Sequence, residues 1–148
     1  MTQQTPVPEE PEDLTITCEA ELAKAIAAVH TTVDPGYVVA VAGRICYWTS
    51  VRKQNPYDIA AIISQETSFI PQLKCGRFGC GAMQVIGVHA RKRGLPKTAL
   101  LDLNTNIDLG TEIWKNSGYD YNDYNGHATP GYAQEVRRWR RLLEAAGK

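Results

Sequence analysis

Glu66 is the residue of this chain that is best placed for acid–base chemistry. It follows an apolar stretch that is predicted to be helical and lies in the segment Gln65–Phe69. At the carboxyl end of a helix the dipole disfavours an ionised carboxyl group, and apolar neighbours disfavour it further. Such a group keeps its proton to a higher pH and can protonate a leaving oxygen. A glutamate at a helix end is more often a solvated charge, so the assignment depends on the segments that follow.

The helix that carries Glu66 is predicted from its start signal and its periodicity. Asn55 followed by Pro56 is a typical helix start, with the amide as cap and proline in the first turn. Three isoleucines then share one face with the glutamate at helical spacing, namely Ile59, Ile62 and Ile63. This pattern directs Glu66 along the buried side of the helix.

The other predicted elements are also mostly helical. Further helices are expected at residues 17–30 with Thr17 as cap, from Asp34–Pro35 to about Lys53, from Met83 to about Arg93, from Asn104 or Thr105 to Trp114, and from Thr129–Pro130 onward. Prolines and glycines between Phe69 and Gly81 predict a loop with short strands at one edge of a groove. The predicted fold class is therefore mainly α with a small β element.

Five short motifs occur in an order that is specific for one family. They are Glu66–Thr67, Gly81–Gln84, Asn106–Gly110, Tyr124–His127 and Tyr132. Together they resemble the motifs of the soluble lytic transglycosylases and, more distantly, those of goose-type lysozymes. The similarity covers roughly residues 55 to 140 and implies a lysozyme-like α+β fold. Thr67, Ala82 and His127 differ from the family's usual residues, and His127 is assigned no role.

The resemblance implies a role for each motif. Glu66 would act as the acid and the base, and Tyr124 would hydrogen-bond it and fix its orientation. The Thr67 hydroxyl would hold the substrate or the acid, or would only cap the end of the helix. Asn106 and Gly110 are expected to determine the fold rather than to take part in the chemistry.

Four further residues receive substrate-side roles from the same resemblance. Gln84 would bind an N-acetyl group. Met83 would pack beneath the sugar, with a plain core position as the alternative. Asn125 would brace the loop that carries Tyr124 through backbone hydrogen bonds. Tyr132 would face the groove rather than only begin the apolar stripe of the last helix.

The number of available acids separates two glycosidase chemistries. Glycoside hydrolysis usually needs two carboxyl groups, and no acid lies between Phe69 and His89, where goose-type lysozymes carry extra ones. The acids at predicted helix starts suit dipole or capping roles, and they are Asp58, Asp102 and Asp108. The resemblance then implies a peptidoglycan lytic transglycosylase. Such an enzyme cleaves the β-1,4 bond between N-acetylmuramic acid (MurNAc) and N-acetylglucosamine (GlcNAc), uses the 6-hydroxyl of MurNAc as nucleophile, and leaves 1,6-anhydro-MurNAc ends.

Two alternatives stay open beside the transglycosylase. A muramidase (lysozyme) of the same fold would attack with water, and a wall-binding virion protein would keep the fold without catalysis. The expected partner is the glycan strand of peptidoglycan, with no cofactor and no metal. A nucleic-acid partner is not expected, because four arginines on the outer face of the last helix are more typical of a solvated surface: Arg137, Arg138, Arg140 and Arg141.

An acidic tail is predicted to precede a mildly basic domain. Residues 1–13 contain four acids, three prolines and no base, which predicts disorder, and residues 14–148 are expected to form one lysozyme-like domain. The whole chain has 16 acids and 16 bases, so the body carries a charge of about +4. This charge suits an anionic wall polymer.

The first residues lack the basic start and the apolar run of a secretory signal. No apolar run approaches the ~18 residues of a membrane span. The expectation is a monomer that reaches the cell wall by a route other than a signal peptide. A phage particle is favoured, with release through a lysis lesion or a secretion apparatus as the alternatives.

Four cysteines leave the disulfide pattern open. They allow three full pairings, in which Cys75 and Cys80 could close a small loop or Cys18 and Cys46 could join two helices. Four free thiols, as in a protein that folds in the cytosol, are the slightly favoured expectation. A zinc site at Cys75, Cys80 and His89 is not expected, because it lacks a fourth ligand.

Overall fold

Helices follow one another along nearly the whole chain. The computed structural model describes residues 10–126 and 129–148. Its elements are α1 (Glu10–Val29), α2 (Pro35–Arg52), α3 (Pro56–Thr67), α4 (Gly87–Lys92), a 3-10 helix (Lys97–Leu101), α5 (Leu103–Asn116), α6 (Tyr121–Asn125) and α7 (Tyr132–Gly147). In these residues β pairing is limited to one antiparallel bridge between Cys80 and Val85. The mainly α fold class is confirmed, and the small β element is reduced to this bridge.

Helices α2 and α3 begin where the sequence predicts. The Asp34 carboxylate accepts a hydrogen bond from the Tyr37 amide at 2.9 Å, and the Asn55 side-chain oxygen accepts one from the Tyr57 amide at 2.9 Å. Each cap is followed by a proline, whose fixed φ suits the first turn and whose missing N–H is not needed there. These two local devices fix the start of α3 and, with it, the turn on which Glu66 lies.

Two other helix starts differ from the prediction. Helix α1 begins at Glu10, so Thr17 lies inside it and residues 10–13 of the predicted tail are helical, while residues 1–9 lie outside the described part. Helix α4 begins at Gly87 rather than at Met83. Val85 and Cys80 exchange two backbone hydrogen bonds of 2.9 and 3.0 Å. That bridge occupies backbone groups that a helix through this segment would need.

Helix α3 lies at the centre of the molecule. Five consecutive side chains in its middle have no exposed surface: Ile59, Ala60, Ala61, Ile62 and Ile63. The helix packs against α1, α2 and α7, while α1 also contacts α2 and α7, and α2 contacts α5. A helix that is apolar on every face is typical of a core position. The candidate acid is therefore carried by the most enclosed element of the fold.

Both pairs of cysteines form disulfides, so the expectation of four free thiols is wrong. The Cys18–Cys46 bond joins α1 to α2, and the Cys75–Cys80 bond closes part of the loop after α3. The Cα atoms of the two pairs are 6.1 and 4.3 Å apart. The expectation rested on a redox compartment that the sequence does not determine, whereas the fold brings each pair together.

The buried side chain of Asn106 holds the backbone of residues 80–83, which follow the loop after α3. Its side-chain nitrogen donates to the carbonyl oxygens of Cys80 at 2.7 Å and Leu100 at 2.8 Å, and its oxygen accepts from the Met83 amide at 2.9 Å. The side chain is 1% exposed. A Cβ atom on Gly81, whose φ is +71°, would lie 2.3 Å from the Asn106 nitrogen. The close approach explains the glycine and confirms Asn106 as a fold determinant.

Replacing Asn106 is expected to destabilise the protein severely. Asn106→Leu keeps most of the side-chain volume and removes three buried hydrogen bonds, while the Cys80 carbonyl keeps its bond from the Val85 amide. A buried backbone group that loses its partner costs about 1–3 kcal/mol. We expect the free energy of unfolding in urea to fall by roughly 3 kcal/mol or more. The exposed Asn116→Ala serves as control and should change it by less than about 0.5 kcal/mol. A loss for Asn106→Leu no larger than that of the control would contradict the assignment.

His30 joins the end of α1 to α3 and α7. Its Nε2 atom lies 2.9 Å from the Ser64 hydroxyl oxygen. Its ring stacks on Trp139 with centroids 5.1 Å apart and is tilted against Phe69 at 5.2 Å. Burial lowers the pKa of His30 below its usual 6.5. The folded state therefore favours the neutral ring.

This shift predicts a loss of stability at acid pH. The pKa of His30 is lower in the folded state than in the unfolded state, where it is about 6.5. The contribution of the neutral ring to the free energy of unfolding is therefore complete above about pH 6.5, and it is lost as the pH falls from there through the folded-state pKa. The ring is only partly buried, so the loss should be below about 1 kcal/mol. Denaturant unfolding at about pH 7.5 and about pH 5 would measure it. A His30→Gln variant should show a smaller acid-induced loss than the wild type, and an equal loss in both would refute the attribution.

Candidate active site

A pocket of about 570 Å³ lies beside the end of α3. Its described wall combines polar and apolar side chains, and they are Glu66, Phe78, Gln84, Val85, Ile86, His89, Ile113, Asp123, Tyr124, Asn125, Gly126 and Thr129. Four of the seven predicted site residues belong to this wall. The other three, Thr67, Met83 and Tyr132, are not among the wall residues. The pocket lies within the size range of small-ligand sites.

Tyr132 fixes the orientation of Glu66 from the protein side. Its hydroxyl donates a hydrogen bond to Glu66 Oε2 at 2.6 Å, and the residue is only 5% exposed. It begins α7 just after Pro130 and Gly131, and α7 packs along α3. Burial, followed by the negative charge of Glu66, raises the pKa of Tyr132. The phenol therefore stays protonated and remains a donor at any pH at which the protein works.

Tyr124 has a different hydrogen-bond partner from the one predicted. Its hydroxyl donates to the carbonyl oxygen of Met83 at 2.8 Å. Burial, followed by the charge of Glu66, raises the pKa of Tyr124 well above its usual value. Tyr124 thus lines the pocket near the acid and is anchored to the Met83 turn, while the hydrogen bond to Glu66 that was expected from it comes from Tyr132.

The turn at Gly81–Gln84 contributes backbone and amide groups. Met83 has no exposed surface, and its sulfur packs so closely on α5 that a Cβ atom at Gly110 would lie 2.2 Å from it. The side chain is therefore a core residue, which was the alternative for Met83. Gln84 lines the pocket with φ +51°, and its amide nitrogen donates to the Gly81 carbonyl at 2.9 Å. Its side-chain oxygen is the group that remains for a ligand.

Thr67 connects the end of α3 to the same turn. Its hydroxyl lies 3.0 Å from the Ala82 carbonyl oxygen and 3.4 Å from that of Ile63. A hydroxyl has one proton to donate, and both neighbours here are acceptors. In the structure Thr67 therefore connects the end of α3 to the backbone of the Gly81–Gln84 turn. A direct contact of Thr67 with substrate stays a prediction.

Asn125 is a wall residue with an unused donor. Its side-chain nitrogen is buried and has no hydrogen-bond partner in the described part of the chain. Asn125 ends α6, and Gly126 follows with φ +69° as the helix cap. The expected bracing role for Asn125 through backbone bonds stays a prediction, and His127 lies outside the described residues.

Asp123 is a pocket carboxylate that sequence reasoning missed. It lies in the same wall as Glu66 and is exposed. Asp123 lies neither between Phe69 and His89 nor at a predicted helix start, which are the places where a second acid was expected. Its position next to Tyr124 was the signal that could have found it, because two neighbouring residues of a short helix can both reach one pocket.

The three acids considered earlier serve the fold instead. Asp58 accepts from the Tyr121 hydroxyl and forms an ion pair with Arg140 at 2.6 Å. Asp102 caps α5 by accepting from the Thr105 amide at 3.0 Å, in place of the cap predicted at Asn104 or Thr105. Asp108 pairs with Arg52 and Arg93. The capping role is confirmed for Asp102, and Asp58 lies in the first turn of α3 as expected. Asp108 lies beyond the first turn of α5, so the helix-start role expected for it is wrong, and it forms ion pairs instead.

Phe78 and His89 complete the wall on the side of the loop. Burial, together with the positive charge of Lys92, lowers the pKa of His89, while Glu112 opposes this. The imidazole is therefore neutral near pH 7. Within the described residues, no group of three or more histidine, cysteine or acidic side chains is arranged to hold a metal ion.

The mainly α fold places Glu66 at the end of a buried helix, beside a pocket that the Gln84, Tyr124 and Asn125 motif residues also line. Residues 45–147 match the family model described as the Transglycosylase SLT domain, and the chain belongs to this family. It is a lytic transglycosylase that cleaves peptidoglycan, which is a lyase-type reaction. Among curated proteins and solved structures, none matches the chain significantly. The described helices include no segment with the length and apolar character of a membrane span.

Removal of the Tyr132 hydroxyl is expected to slow the reaction without unfolding the protein. Hydrogen bonds to a charged group are worth about 1.5–3 kcal/mol, so kcat of Tyr132→Phe should fall roughly ten- to hundredfold. Loss of a donor to the carboxylate should also move the alkaline limb of the pH–rate profile to higher pH. The control is Tyr119→Phe, whose ring is half exposed and packs edge-on against Trp114. Wild-type kcat and an unchanged profile in Tyr132→Phe would refute the positioning role.

Proposed function

We propose that Glu66 acts first as general acid and then as general base in cleavage of the MurNAc–GlcNAc β-1,4 bond. In the first step the Glu66 carboxyl protonates the bridging oxygen, and the bond between that oxygen and C1 of MurNAc breaks. In the second step the 6-hydroxyl oxygen of the same MurNAc bonds to C1, and its proton passes to the Glu66 carboxylate. The acid is restored, no water is consumed, and the product carries a 1,6-anhydro end.

The observation that carries this proposal is the Tyr132–Glu66 hydrogen bond at the pocket wall. A phenol that stays protonated fixes one oxygen of the carboxyl group, Oε2, and with it the orientation of Glu66 at the pocket wall. The middle of α3 behind the acid is wholly apolar. Glu66 is half-buried and is held by one hydrogen bond from a neutral donor. A carboxyl group that is fixed in this way is positioned both to give and to take a proton.

An internal nucleophile explains how a single acid can suffice. A well-oriented intramolecular hydroxyl can reach an effective molarity of ~10⁵ M or more. The remaining task of the protein is to hold the sugar in the reactive geometry. Gln84 provides a side-chain amide oxygen in the pocket wall for that purpose.

Asp123 supports a second candidate, a muramidase of the same fold. It supplies a second carboxylate in the wall that holds Glu66. In an inverting hydrolase the second carboxylate activates a water on the opposite face of the sugar. Asp123 is exposed, however, whereas Glu66 is half-buried and is held in place by the Tyr132 hydroxyl. The transglycosylase is therefore the better-supported function.

Mass spectrometry of the products from purified peptidoglycan tests both candidates. The wild type should release muropeptides about 18 Da lighter than reducing-end products, because no water is added. Glu66→Gln should lose activity by ~10²- to 10⁴-fold, the usual share of general acid–base catalysis. Asp123→Asn is the matched carboxylate-to-amide control and should keep activity within about threefold.

Other outcomes would change the assignment. Reducing-end products that disappear in Asp123→Asn would establish the muramidase. Folded wild-type protein that binds peptidoglycan and releases no product would leave a non-catalytic wall-binding protein, which was the third alternative.

A further inference from the structure

The loop after α3 exposes large apolar side chains to solvent. In the segment Ile70–Phe78, here called the apolar–basic loop, Ile70 is 58% exposed, Leu73 is 91% exposed and Phe78 is 61% exposed. Phe78 belongs to the pocket wall, whereas Ile70 and Leu73, which lie three residues apart, do not. Single exposed apolar residues are normal on a protein surface, and neighbouring ones are more typical of a binding surface.

Positive charge accompanies these side chains. Lys74 and Arg77 lie in the same loop and are both exposed. The Arg77 guanidinium lies over the Phe78 ring, 5.2 Å from its centroid. Between residues 68 and 101 the sequence has six bases and no acid. The loop therefore combines apolar and cationic groups with no neighbouring carboxylate in the sequence.

The loop is held in this exposed shape by covalent and backbone constraints. The Cys75–Cys80 disulfide closes its second half, and the Gly76 amide donates to the Gly79 carbonyl at 2.9 Å. A Cβ atom at Gly79 would lie 2.4 Å from the backbone of Gln84, so the base of the loop packs tightly on the Gly81–Gln84 turn. Leu73 lies two residues before this closed segment and is 91% exposed.

We propose that the apolar–basic loop binds the surface of a bilayer that contains anionic lipids. Leu73 and Ile70 would enter the boundary between head groups and acyl chains, and Lys74 and Arg77 would pair with lipid phosphates. A soluble polyanion would pair with Lys74 and Arg77 but would leave Leu73 in water, so a bilayer fits the loop better. Neither Ile70 nor Leu73 belongs to the described pocket wall, so a sugar bound there does not account for them. The proposal stands independently of the catalytic mechanism.

Vesicle sedimentation with the full chain tests this proposal. The wild type should bind vesicles of phosphatidylcholine mixed with phosphatidylglycerol and bind pure phosphatidylcholine vesicles much more weakly. Leu73→Ser should weaken binding about tenfold, as expected for loss of a buried leucine. Lys74→Gln should weaken it about fivefold, and added salt should weaken it further. Val39→Ser is the matched control, because Val39 is 64% exposed on α2 and should not affect binding.

A fluorescent variant separates insertion from adsorption. In Leu73→Trp the added emission should shift to the blue on anionic vesicles and be quenched by brominated acyl chains, and in Val39→Trp it should not. Absence of binding to anionic vesicles would overturn the proposal. So would binding that Leu73→Ser leaves unchanged, which indicates adsorption by charge alone, or equally tight binding to soluble polyphosphate. Each Leu73 variant should cleave purified peptidoglycan at the wild-type rate, which shows that it is folded.

Discussion

The placement of the Glu66 carboxyl group at the end of a helix whose middle is wholly apolar is the constraint on which the rest of the structure depends. The middle of α3 has no exposed surface, so Glu66 emerges from the core at the last turn of that helix. An acid at such a boundary needs partners that stay uncharged and in place. Two buried phenols near it, Tyr132 and Tyr124, have raised pKa values and keep their protons. Tyr132 donates a hydrogen bond to Glu66, and Tyr124 donates one to the Met83 carbonyl in the Gly81–Gln84 turn.

Local signals in the sequence were sufficient at the starts of α2 and α3, although at α5 the cap is Asp102 and not the predicted Asn104 or Thr105. Asp34 and Asn55, each followed by a proline, specify the starts of α2 and α3 through contacts two or three residues away. The meeting of Glu66, Gln84, Tyr124 and Asn125 in one pocket was also predictable, because the motif order resembles a family whose fold is shared.

Long-range contacts decided what the sequence could not show. The segment from Met83 was predicted to be helical, but the Cys80–Val85 bridge and the Asn106 side chain hold it as a turn. Which phenol reaches Glu66 depends on how α7 packs along α3, and no local pattern reports that packing. The same holds for the disulfides, since the spacing of Cys18 and Cys46 does not show that α1 and α2 lie side by side.

The Cys18–Cys46 bond also sets the extent of the folding unit. The family match begins at residue 45, yet α1 and most of α2 precede it. Leu22, Ala25 and Ile26 of α1 are fully buried, and α1 contacts both α2 and α7. A chain cut at the family boundary would therefore lose part of its own interior, leave Cys46 without its partner, and expose apolar surface on α7, the helix that carries Tyr132. The N-terminal helix is thus an integral layer of the domain, and the position of Tyr132 beside Glu66 depends on residues that the family match does not include.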